Sequence, residues 1–213
     1  MTSPFDQSRY QVRLEWGVAG LERLAASDVV VVVDVLRFSS TVVARLEVGE
    51  ATPLDAAAHA VSLNGAAAAV RAAELSPAVI LGCLRNASAV ADRILDLQRE
   101  RGKRTNIAVI AAGELPSRDG DAPLRFAVED LLGAGAVIDA LGARGIDHTS
   151  PEAAAAAEAF RGLRTAARHL LTASGSGQEL IERGSRDEVL AAADVDASTV
   201  VPVLQGGVFR SGS

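Results

Sequence analysis

Five consecutive valines, Val29–Val33, constrain the fold of this chain more than any other feature. β-Branched side chains suit a pleated strand, and an unbroken apolar run suits one covered on both faces, as in a parallel sheet flanked by helices. The run leads directly into Asp34-Val35-Leu36-Arg37-Phe38-Ser39-Ser40-Thr41. A carboxylate thus sits at the strand's C-terminal end, followed by a cation and three hydroxyls. Residues Thr41 to Leu46 predict a helix capped by Ser39 or Ser40. Ligands of open parallel sheets lie at the carboxyl ends of strands, and helix N-termini attract phosphate. The competing structural reading is a capped turn held by an Asp34–Arg37 ion pair.

Further along, strand-like and helix-like segments alternate. Gln11–Trp16 alternates apolar and polar residues, and Val18–Ala26 suits a short helix. Ala51–Leu54 and Ala78–Leu81 read as short strands. Asp55–Leu63 reads as a helix interrupted by Asn64-Gly65, and Ala66–Leu75 as an alanine-rich one. Ala87–Glu100 is amphipathic, Asn106–Ala112 is a second continuous apolar strand, Leu115–Pro123 is a polar loop, and Leu124–Leu141 is a helix. Pro151–Thr172 predicts one long helix and Ser174-Gly175-Ser176-Gly177 a flexible turn. Two short helices follow, then a last strand, Thr199–Leu204, placed at an edge because of Pro202. The fold class expected is α/β, a three-layer α/β/α sandwich with a mainly parallel sheet. It forms a single domain over residues 1–213, with a small C-terminal lobe from about residue 146.

The formal charge of −6, without a basic patch, argues against nucleic acid. No segment is long and apolar enough to span a membrane, and the polar start predicts no signal peptide. The single cysteine, Cys83, rules out an internal disulfide and a cysteine-based metal site, and suits a reducing cytoplasm. His59, His148 and His169 lack metal-ligand spacing. Neither a P-loop nor a complete dinucleotide fingerprint is present.

Three strand–loop–helix units carry polar residues just past the strand: Asp34, Arg37, Ser39 and Ser40; then Arg85, Asn86 and Ser88; then Glu114. Parallel neighbouring strands would bring them to one sheet edge. Glu129-Asp130 lies on a helix apolar nearly all round. Two adjacent acids lie about 100° apart there, so both cannot reach water easily, and burial requires arginine, N–H groups or a metal as partner. The alternative is an Arg125–Glu129 pair four residues apart with Asp130 in solvent.

These residues resemble the 2-phosphosulfolactate phosphatase, or ComB-like, family. The matching pieces are Val32 to Thr41, Leu63-Asn64-Gly65, Asn86-Ala87-Ser88-Ala89-Val90, Ala112-Gly113 with Glu114, Val128-Glu129-Asp130 followed by Gly133-Ala134-Gly135, and Val201-Pro202-Val203. The resemblance implies a magnesium-dependent phosphatase acting on a coenzyme M precursor, with an α/β/α fold of the family's own type. This chain departs from the pattern in two ways. Two glycine-containing segments usual between the first motif and Asn-Gly have no room in Pro53–Leu63, which implies a reduced pocket or a changed substrate. Positions where the family often has cysteine hold Ala111 and Gly133, which disfavours a cysteine nucleophile.

The expected chemistry is metal-assisted phosphomonoester hydrolysis. Asp34, Glu129 and Asp130 are the expected Mg²⁺ ligands, and Asp34, Arg37 and Glu114 the expected catalytic set. Arg37, Ser39, Ser40, Asn64, Gly65 and Asn86 are expected to bind substrate. A phosphorylated Asp34 is a rival to water attack, although Leu36 stands where an aspartate two residues on would act as the acid. The alternative function is a non-catalytic phosphate- or metabolite-binding relative. Expected partners are a small anionic phosphorylated substrate and, through the alanine-rich helices, a further copy of the chain in a homo-oligomer. Neither nucleic acid nor membrane is expected.

Overall fold

The computed structural model describes residues 3–55, 57–58, 62–115 and 123–212. Strand β1 (Val12–Trp16) leads into helix α1 (Gly17–Arg23), and the valine strand β2 (Val29–Val33) into α2 (Phe38–Glu47). After β3 (Thr52–Pro53) come α3 (Leu63–Leu75), β4 (Val79–Gly82), a 3₁₀ turn (Leu84–Asn86), α4 (Ala87–Arg101), β5 (Ile107–Ala111) and α5 (Val128–Ala143). Four further helices follow: α6 (Pro151–Leu163), α7 (Ala167–Ala173), α8 (Gly175–Glu182) and α9 (Arg186–Ala192). The hairpin of β6 (Pro202–Gln205) and β7 (Val208–Ser211) ends the chain's regular structure.

One seven-stranded mixed sheet results, in the order β1-β5-β2-β4-β6-β7-β3. The four strands β1, β5, β2 and β4 pair in parallel, and the remaining pairings are antiparallel. The valine strand is central and buried along its whole length. Its side chains alternate between two cores. Val29, Val31 and Val33 pack with Val90 and Ile94 of α4, Leu132 and Val137 of α5 and Phe160 of α6. Val30 and Val32 pack with Leu21, Phe38, Ala66, Ala69 and Phe209. Each such valine contributes about 1.5–3 kcal/mol relative to an exposed one. Helical residues therefore cover both faces of β2, which explains why its sequence has no polar alternation.

Small residues set the helix spacing on the first of these faces. A Cβ at Gly133 would stand 2.5 Å from Val35 Cγ2, and one at Gly135 would stand 2.1 Å from the Ala156 carbonyl oxygen. Two glycines inside a helix cost about 1 kcal/mol each in propensity, and here they let α5 seat against the sheet and against α6.

Several local expectations are corrected. The helix after Asp34 begins at Phe38 rather than Thr41, with Arg37 at its N-cap position and neither Ser39 nor Ser40 capping it. Asn64 and Gly65 do not interrupt a helix; they lie in the first turn of α3, capped by Ser62. The long helix from Pro151 breaks at a 3₁₀ turn, Arg164–Ala166. Ser174-Gly175-Ser176-Gly177 is no flexible turn: the Ser174 hydroxyl accepts from the Gly177 N–H and starts α8. The Pro202 strand is not an edge but lies between β4 and β7, and proline is tolerated there as its first residue. Most of the expected 115–123 loop and part of the 55–63 helix, with His59, lie outside the described residues.

Candidate functional site

The site grows from the end of β2. Asp34 is buried, and its carboxylate turns back over the start of α2, where Oδ1 accepts the Phe38 N–H at 3.1 Å. This carboxylate takes the capping role expected of the serines, which is why the helix starts early. Ser39 Oγ instead accepts the Asp34 N–H at 3.1 Å and donates to the Val32 carbonyl at 3.2 Å. Ser40 Oγ donates to the Val35 carbonyl at 2.9 Å. Both hydroxyls brace the loop. Asp34 Oδ2 accepts the Ser62 hydroxyl at 2.5 Å, while Ser62 Oγ accepts the Gly65 N–H at 2.9 Å. A Cβ on Gly65 would stand 2.3 Å from Asp34 Oδ2, so only glycine allows this approach.

Asp130 closes the other side from the first turn of α5. Its Oδ1 accepts the Val35 N–H at 2.8 Å and its Oδ2 the Gly113 N–H at 2.9 Å. One carboxylate thereby ties together the loops after β2 and β5. Gly113 adopts φ +71°, a conformation that favours glycine, and its carbonyl accepts Asn64 Nδ2 at 2.7 Å. Asp34, Ser62, Asn64, Gly65, Gly113 and Asp130 therefore interlock at the C-terminal ends of two adjacent parallel strands, where ligands of such sheets bind.

The electrostatics of the pair are costly. Asp34 is 5% and Asp130 3% exposed. Burial raises Asp34 above the ordinary aspartate range, opposed by the hydrogen bonds from Ser62, Phe38 and Gly65 and by the charge of Arg37. Burial raises Asp130 well above it, and repulsion from Asp34 and then Glu129 pushes it further. Two acids that repel in a dry site suit a shared proton or a shared cation.

Glu129 acts on Asp130 through its charge but has a different set of neighbours. It is 2% exposed, its Oε2 has no hydrogen-bond partner, and its carboxyl lies among Glu114, Ser174 and Ser176. Burial chiefly raises its pKa, and the charge of Glu114 adds to this. Glu114 is already satisfied: Arg125 Nη1 donates to Oε2 at 2.8 Å, and the Ser176 N–H donates to Oε1 at 2.7 Å, joined there by the Ser176 hydroxyl. The alternative of an Arg125–Glu129 pair gives way to Arg125–Glu114, because Arg125 precedes the helix and bridges to residue 114 through paired main-chain bonds.

Arg37 makes no ion pair with Asp34; it reaches Glu188 of α9 at 3.1 Å. Asn86 is fully buried, and its amide engages the Cys83 N–H and Sγ and the carbonyls of Leu81 and Val200. All its hydrogen-bonding capacity holds the turn after β4. Cys83 is buried, which raises its pKa and makes it a poor nucleophile. His148 contacts Tyr10 and Arg104 beside the start of β1, away from the site. A cavity of about 470 Å³ opens beside Val35, between α2 and the helices α8 and α9.

The sequence did not point to Ser62 at this site, and it gave Arg125, Ser174 and Ser176 other places. Ser62 had a local signal, a serine just before an alanine-rich helical run. Arg125 and Ser176 had none, because their partner Glu114 is remote in sequence or paired through a loop, and Ser174 had none because it comes near Glu129 only through the fold. Among the described residues, no group of three or more His, Cys, Asp or Glu forms a metal-holding cluster. Asp34 and Asp130 remain the two-acid donor set suited to a hard cation. No helix among the described residues is long and apolar enough to cross a membrane.

The family model for 2-phosphosulpholactate phosphatase matches residues 50–207. That span holds Asn64, Gly65, Asn86, Gly113, Glu114 and Asp130, and begins after the strand that carries Asp34. The order of motifs and their convergence agree with the match, and the chain belongs to the 2-phosphosulpholactate phosphatase family.

Proposed function

We propose that this chain is a Mg²⁺-dependent phosphoric monoester hydrolase acting on a small substrate of the 2-phosphosulfolactate type, a coenzyme M precursor, in the cytoplasm. The observation that carries this reading is the buried, mutually repelling pair Asp34–Asp130 at the C-terminal ends of β2 and β5. Mg²⁺ is commonly held by one or two carboxylates, with waters and phosphate oxygens completing its shell. Asp34 and Asp130 fit that requirement, since a cation between them relieves their repulsion; Glu129 would stand behind them. When bound, Mg²⁺ supplies charge neutralisation for the phosphoryl oxygens.

The chain's own residues then have separable tasks. Ser62, Phe38 and Gly65 fix the direction of the Asp34 carboxylate. The Val35 and Gly113 N–H groups fix Asp130. Asn64 holds Gly113 in place. Arg37, released from Glu188, would meet anionic substrate oxygens with paired donors. Burial keeps bulk water from the acids and strengthens each of these interactions.

A second reading, a non-catalytic phosphate- or metabolite-binding relative, draws on one observation: Arg37 and Glu114 are already ion-paired, with Glu188 and Arg125. Phosphate release from 2-phosphosulfolactate, with and without Mg²⁺, separates the two. Mg²⁺-dependent release that is lost in a folded Asp34→Asn variant supports the enzyme. Retained phosphate binding with no release from any monoester supports the binder. Labelled phosphate trapped on the protein would replace water attack with a phosphorylated Asp34.

A further inference from the structure

Three arginines line the cavity beside Val35, and their partners differ in kind. Arg45 meets Glu50 at 3.3 Å, and Arg85 Nη2 donates to both Glu47 oxygens at 3.1 Å. Those acids lie at the end of α2 or just past it. Arg37 pairs instead with Glu188, 151 residues away on α9, at 3.1 Å.

The Arg37–Glu188 contact is built to open. Its side chains are 37% and 55% exposed, so water screens their attraction and an incoming anion can replace the carboxylate. Glu188 loses little on release. It is the third residue of α9, where the helix dipole favours negative charge, and the Ser185 hydroxyl donates to its Oε1 at 2.9 Å. Arg37, for its part, belongs to the acid site as well as to the cavity. It holds the N-cap position of α2, three residues past Asp34, whose carboxylate accepts the very next N–H, that of Phe38, at 3.1 Å. The charge of Arg37 acts on the Asp34 carboxylate as well. One guanidinium is thus within electrostatic reach of two places: the Glu188 carboxylate it holds, and the acid pair where a phosphoryl group would sit.

Resting on the phosphatase reading above, we propose that Glu188 is a built-in competitor for the substrate: its carboxylate occupies Arg37 in the free protein and gives it up when a phosphate-bearing anion binds at the acid pair. The apparent affinity is then the intrinsic affinity scaled by the fraction of molecules in which Arg37 is free. Every anion that uses Arg37 is weakened by the same factor, so weak binders stay off the site and a strongly held phosphoryl group still enters. Helix α9 thereby sets the strength of a site built on β2 and β5.

The test measures inorganic phosphate binding to the full chain by calorimetry with Mg²⁺ present, beside steady-state kinetics on 2-phosphosulfolactate. Glu188→Gln keeps the shape of the side chain and removes its charge. Asp187→Asn makes the same charge change one residue away, also at an exposed position. Glu188→Gln is expected to tighten phosphate binding about two- to fivefold, and to lower KM by the same factor with kcat unchanged. Asp187→Asn should do neither, and in an Arg37→Ala background Glu188→Gln should have no effect. Unchanged or weaker phosphate binding in Glu188→Gln, equal tightening by Asp187→Asn, or tightening that persists without Arg37 overturns the proposal; with Mg²⁺-dependent hydrolysis retained, the phosphatase reading still stands. Tightening that depends on Arg37, with no ester hydrolysed by any form, keeps the competitor and removes the phosphatase reading. Phosphate bound by none of the forms removes both.

Discussion

Two acid sites lie within the same edge of this sheet and are built on opposite principles. Glu114 has a cation: Arg125 at 2.8 Å, with Ser176 completing its shell. Asp34 and Asp130 have each other and a set of neutral N–H and O–H donors. Neutral donors stabilise a carboxylate without cancelling its charge, so the first site is electrostatically closed and the second is not. A buried like-charge pair persists in a fold only where something offsets its cost, and a functional role is the usual reason. The difference teaches where to look for chemistry: at the acids left without a cation, rather than wherever acids gather.

The largest effect that tests this contrast is on turnover. Asp130→Asn is expected to lower kcat/KM for Mg²⁺-dependent phosphate release by about 10³-fold or more, equivalent to about 4 kcal/mol of lost transition-state stabilisation. Near-normal steady-state kinetics in the folded variant would erase the distinction between the sites.

Next comes metal-linked stability. Mg²⁺ at a hundred times its dissociation constant stabilises the native state by about 2.7 kcal/mol, or about 5–10 °C in Tm for a chain of this size. Scanning calorimetry should show this shift in the wild type and lose it in Asp34→Asn, with Glu129→Gln keeping most of it. A shift abolished equally by Glu129→Gln would join that residue to the pair.

Without Mg²⁺, the pair should also govern stability against pH. Burial raises both acids above their unfolded value of about 3.9. Between that value and the raised folded ones, the native chain holds more protons than the unfolded chain, so stability falls as pH rises through the window. Asp130→Asn should flatten this slope in urea titrations. A slope of the opposite sign would mean that the neutral donors overcome desolvation.

The smallest effect belongs to the closed site. Arg125 is 63% exposed, and Arg125→Ala should cost less than about 1 kcal/mol. A loss of several kcal/mol, or a collapse of turnover matching that of Asp130→Asn, would show that Glu114 belongs with the chemistry.

Much of this architecture was legible in the residues. The valine run specified a strand covered on both faces, and the alternation of segments specified an α/β fold with a parallel centre. Asp34 and Asp130 could be singled out because acids beside apolar runs are conspicuous, whereas Asn64 and Gly65 stood out only through the family resemblance and read as a break rather than a helix start. The antiparallel extension was not legible, since β3 and β7 are short and pair across the length of the chain. Nor was the partnership of Arg125, for i,i+4 reasoning assumes a helix that here begins only at Val128. Ser39 and Ser40 misled for a related reason. A capping serine is the common solution, yet the aspartate four residues before Phe38 reaches the same N–H first.

The double grip of Asp130 on Val35 and Gly113 makes two backbone amides into gauges of the site. An amide proton held by a carboxylate resonates downfield and exchanges slowly; one held by a neutral carboxyl, or by a carboxylate sharing its electrons with a cation, does so less. Protonation or metal loading at Asp130 should thus appear as paired shifts at residues 35 and 113, which lie in the loops after two different strands. Two-dimensional ¹⁵N spectra would read the state of the centre from its scaffold, without substrate, product or chromophore.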